Sequence, residues 1–89
     1  MDPDAETDHP GPPRVELLTR EGCHLCATAR QTVSEVAGRL GVAWAERRID
    51  EDPALLARHA EEIPVLLVDG VPRDFWVVDP VRLERLLTS

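Results

Sequence analysis

Apolar and polar positions along the chain change period several times, and each change marks an element. Val15–Thr19 (VELLT) is a short, nearly continuous apolar run, the pattern of a strand buried on both faces. Arg20-Glu21-Gly22 breaks it as a loop. From Cys23 or His24 onward the apolar residues recur at steps of three and four: Cys26, Ala29, Val33, Val36, Ala37 and Leu40. That spacing predicts a helix with one apolar face. Gly41 follows it and suits the left-handed residue that ends many helices. Val42–Ile49 reads as a second strand. Alternation puts Val42 and Trp44 on one side and Ile49 on the other, so the span needs a bulge or an edge position. Asp52-Pro53 pairs a helix cap with a first-turn proline, and Leu55, Leu56, His59 and Ala60 supply a short helix. Val65–Val68 is again continuous and apolar. Asp69-Gly70 is a two-residue hairpin signal. The chain is expected to return antiparallel from Val71 to Val77 or Val78, with one of Phe75 and Trp76 packed under the sheet and the other exposed. Asp79-Pro80 then repeats the cap pairing before a helix carrying Val81, Leu83, Leu86 and Leu87.

The order is therefore β-α-β-α-β-β-α. Its first three elements are long enough for a right-handed βαβ unit, and its last two strands form a hairpin. The expected fold is α/β, a mixed four-stranded sheet with helices on both faces.

Composition narrows the class. The 89 residues carry 17 acidic and ten basic side chains, a net charge of −7, and every basic residue is Arg. A nucleic-acid partner is not expected, because such binders carry a basic patch or stripe. No apolar stretch approaches the ~20 residues of a membrane span, and no signal peptide opens the chain. A cytoplasmic location is expected, without membrane association. Residues 1–13 hold four acids, four prolines and no large aliphatic residue after Met1, and read as a disordered acidic tail. His9 lies in that tail and is given no role. Residues 14–89 form the domain, with a net charge of −3.

Cys23-His24-Leu25-Cys26 is the candidate chemistry. A C-x-x-C where a strand turns into a helix sets its first sulfur against unpaired N–H groups and the positive end of the helix dipole. Cysteines in such positions have thiol pKa values of ~3.5–7.5 instead of ~8.5. The second sulfur lies one turn further on, within reach of a disulfide formed on the first. Cys23 is accordingly read as nucleophile, and Cys26, on the apolar helix face, as resolving thiol. A protonated His24 between them would favour the thiolate, and Arg20 would bring a fixed positive charge near it. Three other readings of the pair remain. It supplies two of the four ligands of a zinc site, with His24 or His59 as further donors. It holds a metal or iron–sulfur cluster across a dimer. Or it is a pair of buried thiols in a redox-inactive interaction module.

The strand VELLTR, the run Glu21-Gly22-Cys23-His24-Leu25-Cys26, and Glu62-Ile63-Pro64-Val65 leading to Asp69-Gly70 together resemble the glutaredoxin family of the thioredoxin-like fold. The resemblance covers residues 14–87 and is strongest to short glutaredoxin-like proteins with Cys-His-Leu-Cys. It implies a cis peptide before Pro64, beside the cysteines, with the Ile63 backbone pairing to an extended substrate or thiol. It implies dithiol exchange through Cys23 and Cys26. Arg20 matches the position where many glutaredoxins place a Lys facing the glutathione carboxylate. The chain departs from the family's Cys-Pro-Tyr-Cys. It also has Val77-Val78-Asp79-Pro80 where glutaredoxins carry a Gly-Gly pair, so Asp79 keeps the helix cap while the close glycine approach is lost. The expected activity is reduction of protein or small-thiol disulfides by a monomer. It needs no bound cofactor, takes glutathione or another low-molecular-weight thiol as co-substrate, and draws electrons from a thiol or a reductase.

Overall fold

The computed structural model describes residues 13–88. The tail assigned to residues 1–13 therefore lies, Pro13 apart, outside the described residues. Four strands form one sheet: β1 (Val15–Thr19), β2 (Trp44–Arg48), β3 (Val65–Val68) and β4 (Val71–Phe75), in the order β2-β1-β3-β4. β1 runs parallel to β2 and antiparallel to β3, and β3 and β4 make the hairpin. The helices are α1 (His24–Leu40), α2 (Pro53–His59) and α3 (Pro80–Thr88). The arrangement is the expected thioredoxin-like β-α-β-α-β-β-α fold.

β1 and β3 occupy the two central positions, and their apolar runs feed two separate cores. Val15, Leu17, Leu66 and Val68 join Ala29, Val33 and Val36 of α1 and Leu83 and Leu87 of α3. Leu18 and Val65 point the other way and meet Ile49, Ile63 and Cys26, with Leu55 and Leu56 of α2 packed alongside. Side chains alternate across a strand, so Leu17 and Leu18 necessarily serve opposite faces. The face predicted for α1 is the buried one.

The helix ends follow the chain's local chemistry. Gly41 closes α1 at φ 70°, with its N–H on the carbonyls of Ala37 and Gly38. The Asp52 carboxylate accepts from the N–H groups of Ala54 and Leu55. That of Asp79 accepts from Val81 and Arg82. Asp69 and Gly70, at φ 54° and 80°, make the hairpin turn. Both positive angles belong to the turn type whose twist matches antiparallel strands.

Three expectations are corrected. The second strand spans Trp44–Arg48, not Val42–Ile49. It is an edge strand, and Ile49 is buried from a 3₁₀ turn, Ile49–Glu51, which resolves the conflict in alternation. The last strand ends at Phe75 because Trp76 adopts φ 67°, which leaves the extended region. Neither aromatic packs under the sheet. Phe75 is 37% and Trp76 54% exposed, and the two rings lie tilted against each other with centroids 6.3 Å apart. The Trp76 side chain instead turns back across residues 61–64. Its indole N–H donates to the Glu61 carbonyl at 3.1 Å, and its backbone N–H to the Pro64 carbonyl at 2.8 Å.

Candidate functional site

The parallel β1–α1 unit carries the end of β1 across a tight loop into the helix, and the cysteines sit at that junction. Gly22 takes φ 76°, a conformation that favours glycine, and Cys23 follows as the helix cap at φ −96° and ψ 116°. Its Sγ accepts from the Cys26 N–H at 3.2 Å, in the place a Ser or Asp oxygen usually fills. Cys23 is partly exposed, and Cys26 is 1% exposed within the second core. Both are free thiols.

Burial dominates the electrostatics of Cys26. Desolvation, reinforced by the neighbouring Cys23 sulfur, pushes its thiol up to about 12. The pair is thus asymmetric: one sulfur at the surface on a helix N-terminus, the other neutral and covered until its environment changes. In sequence the two differ only in which side of the apolar stripe they fall on, and here that difference becomes an accessible sulfur and an inaccessible one.

Cys23 opens onto a surface groove of about 720 Å³. Arg20, Glu21 and His24 border it on the loop side, and Arg30 of α1 with Glu46 and Arg48 of β2 on the other. Arg20 is exposed and donates to the Ala60 carbonyl at 3.4 Å. His24 is the exposed first residue of α1. Ile63 is buried in the same core cluster as Cys26, against which Cys23 also packs. The Ile63-Pro64 peptide is cis, and Pro64 is fully buried. Asp79 stands apart, capping α3 beside a separate depression shared with Val81 and Arg82. Arg20 and His24 thus line the groove with Cys23, Ile63 shares the core cluster of Cys26 with Pro64 next in the chain, and Asp79 borders a different depression.

Three residues of the groove wall have no counterpart among the residues selected from sequence. Arg30 grips Glu46 through two hydrogen bonds, Nε to Oε1 at 2.8 Å and Nη2 to Oε2 at 2.7 Å. The same Oε2 accepts from Thr19 Oγ1 at 2.6 Å, at the buried end of β1. Arg30 holds the Glu46 carboxyl below the usual carboxylate range, helped by Thr19 and Arg48. Arg48 donates to Glu21 at 2.7 Å. The spacing of Arg30 from Cys26, i+4 along α1, was the available signal, since it puts Arg30 one turn beyond the pair. Its partner on β2 depends on strand register and has no local signature.

Among the described residues no group of three or more His, Cys, Asp or Glu side chains is placed to hold a metal ion. No helix among them is long and apolar enough to cross a membrane.

Comparison with known proteins agrees with this geometry. A family model described as a glutaredoxin-like domain (DUF836) matches residues 14–88. An uncharacterized protein of Mycobacterium tuberculosis is 36% identical over 76 residues, covering 80% of this chain and 78% of its own. The X-ray structure of a structural-genomics target from X. campestris superimposes with a TM-score of 0.67 at 29% identity, over 82% of this chain and 93% of that one. The glutaredoxin-like NrdH-redoxin of Escherichia coli, a protein with a thioredoxin-like activity profile, shares the fold. It has a TM-score of 0.58 at 21% identity, covering 82% and 93% of the two chains. With a Cys-x-x-Cys pair at the helix start of a thioredoxin-like fold, and a family match over nearly every described residue, this chain belongs to the glutaredoxin-like domain family.

Proposed function

We propose that the protein is a thiol–disulfide oxidoreductase that works through Cys23 and Cys26. The observation that carries this reading is the asymmetry of the pair: an accessible sulfur capping α1 and a buried one a turn away, joined by the 3.2 Å contact from the Cys26 N–H to the Cys23 Sγ. Cys23, as thiolate, attacks one sulfur of a substrate disulfide. A bond forms between Cys23 and that sulfur, and the other half leaves as a thiolate. The attacking sulfur caps α1 and accepts from the Cys26 N–H. Cys26 then loses its proton to the thiolate released in the first step and attacks the Cys23 sulfur. The intramolecular disulfide forms and the second half leaves. Two electrons have passed from protein to substrate, and an external thiol or a reductase returns them.

The high proton affinity of Cys26 gives this sequence its order. A neutral, buried thiol does not compete for the incoming disulfide, and it becomes a nucleophile only once the mixed disulfide has altered its surroundings. The backbone at Ile63, ahead of the cis Pro64, is where an extended substrate would pair, with Arg20 and His24 at the rim of the groove. Substrates are protein or low-molecular-weight disulfides. No bound cofactor is required.

The test is a redox titration of metal-free protein in dithiol buffers, read by intact mass after alkylation. A reversible Cys23–Cys26 disulfide is expected, and its midpoint is to be placed between the thioredoxin-like ~−270 mV and the strongly oxidising ~−120 mV. Cys23→Ser should abolish turnover, and Cys26→Ser should accumulate mixed disulfides on Cys23. If no intramolecular disulfide forms at any poise, dithiol exchange is excluded. Protein purified with stoichiometric zinc or iron on the pair would replace it with a metal-binding role.

A further inference from the structure

The groove in front of Cys23 is rich in charge. Three Arg and two Glu line it, a positive balance on a chain of net charge −7. The guanidiniums of its far wall are held in place. Arg30 is fixed by two bonds to Glu46, which Thr19 anchors to the end of β1. Arg48 is held by one bond to Glu21. A guanidinium has five N–H donors. Two of Arg30's and one of Arg48's are used in these pairs, so both retain donors, and both side chains are nearly half exposed. Planar, pre-oriented guanidiniums with spare donors recognise carboxylates.

This wall lies on the α1–β2 side of Cys23. A second depression, lined on α3 by Asp79, Arg82 and Arg85, does not have Cys23 in its wall, so only the α1–β2 side sets guanidiniums in the same groove as the accessible sulfur among the described residues. We infer that Arg30 and Arg48 form a carboxylate subsite, so that the preferred small-molecule substrates are disulfides bearing carboxylates, docked along α1 and β2. The inference rests on the oxidoreductase reading and specifies its substrate class.

The experiment compares single-turnover oxidation of the reduced full-length protein by three small disulfides at fixed pH: 3,3′-dithiodipropionate (two carboxylates), bis(2-hydroxyethyl) disulfide (neutral) and cystamine (two ammoniums). Each disulfide's intrinsic reactivity cancels in the ratio of variant to wild-type rate. Arg48→Gln should lower the dithiodipropionate rate about three- to fivefold relative to the neutral disulfide, the size of an exposed ion pair. Arg30→Gln with Arg48→Gln should lower it about tenfold. Glu21→Gln, which frees Arg48, should shift the same ratio the opposite way. That gain cannot come from a damaged fold. Arg39→Gln, whose Arg is paired with Glu84 toward the far end of α1, should leave the ratio within about twofold. The wild-type preference should also shrink as salt is raised. If Arg48→Gln slows all three disulfides equally, or Arg39→Gln changes the ratio as much as Arg48→Gln does, the subsite is refuted while the dithiol mechanism stands. If none of the three oxidises Cys23, the small-molecule subsite is refuted as well, and the oxidoreductase reading then stands or falls with the Cys23–Cys26 redox titration.

Discussion

At the scale of single residues, Cys26 makes the sharpest statement about pH. Its thiol is pushed up to about 12, chiefly by desolvation. In the unfolded chain a cysteine ionises near ~8.5. Below that pH the residue is neutral in both states and contributes no pH dependence. Above it the unfolded state binds fewer protons than the folded one, so stability falls as pH rises, until Cys26 itself ionises near 12. Urea unfolding of the reduced protein should therefore show a midpoint that drops between pH 8 and pH 10, and Cys26→Ala should flatten that slope. An unchanged slope would mean that Cys26 is not the proton-retaining group. Glu46 acts with the opposite sign at the acid end. Arg30 depresses its carboxyl, so the stability it contributes is present above the ordinary carboxylate range and is lost as pH falls through its lowered value. Glu46→Gln should reduce the acid sensitivity of unfolding.

At the scale of elements, α1 is capped by its own proposed nucleophile. Sulfur is a weak acceptor, and Ser is among the preferred N-cap residues. Cys23→Ser should accordingly hold or raise the stability of the reduced protein, by up to about 1 kcal/mol, while abolishing exchange. Denaturant midpoints and turnover measured on the same sample check this. A variant that loses both would show that Cys23 has a packing role the cap does not explain. Asp52→Ala, which removes a capping carboxylate from the much shorter α2, should instead cost about 1 kcal/mol.

What the sequence made legible follows the same logic. α1 could be read because its apolar face repeats at helical spacing, the hairpin because Asp69-Gly70 demands positive φ at both positions, and the cysteine pair because a strand runs into a helix through Gly22. β2 was overextended because an edge strand is covered less and its pattern is weaker, with Ile49 buried from a turn and not from the ladder. Trp76 was misplaced because its left-handed backbone and its bond to Glu61 depend on where the Pro64 loop lies. The Arg30–Glu46 contact was invisible because it exists only once β2 pairs beside β1 under the helix.

At the scale of the molecule, the sheet divides labour between its two faces. The larger core, built on Val15, Leu17, Leu66 and Val68 under α1 and α3, contains neither cysteine. The smaller, built on Leu18, Ile49, Ile63 and Val65, encloses Cys26. Truncations on the two faces should therefore differ in kind. Leu83→Ala and Ile49→Ala both remove a fully buried aliphatic side chain and should each cost about 2–5 kcal/mol. For a domain this small that is a large share of the total. Under native conditions, well below the unfolding midpoint, Leu83→Ala should leave Cys26 as protected as before, because the cavity opens against α3. Ile49→Ala opens its cavity beside the buried sulfur and should expose it. Placed in a Cys23→Ser background, where Cys26 is the remaining thiol, the two variants separate cleanly in alkylation rate: Ile49→Ala should react about tenfold or more faster than Leu83→Ala at matched residual stability. Equal rates would mean that Cys26 is reached by global unfolding. Its burial would then be a property of the whole fold, with no local protection from the smaller core, and the order of the two thiols in exchange would need another cause.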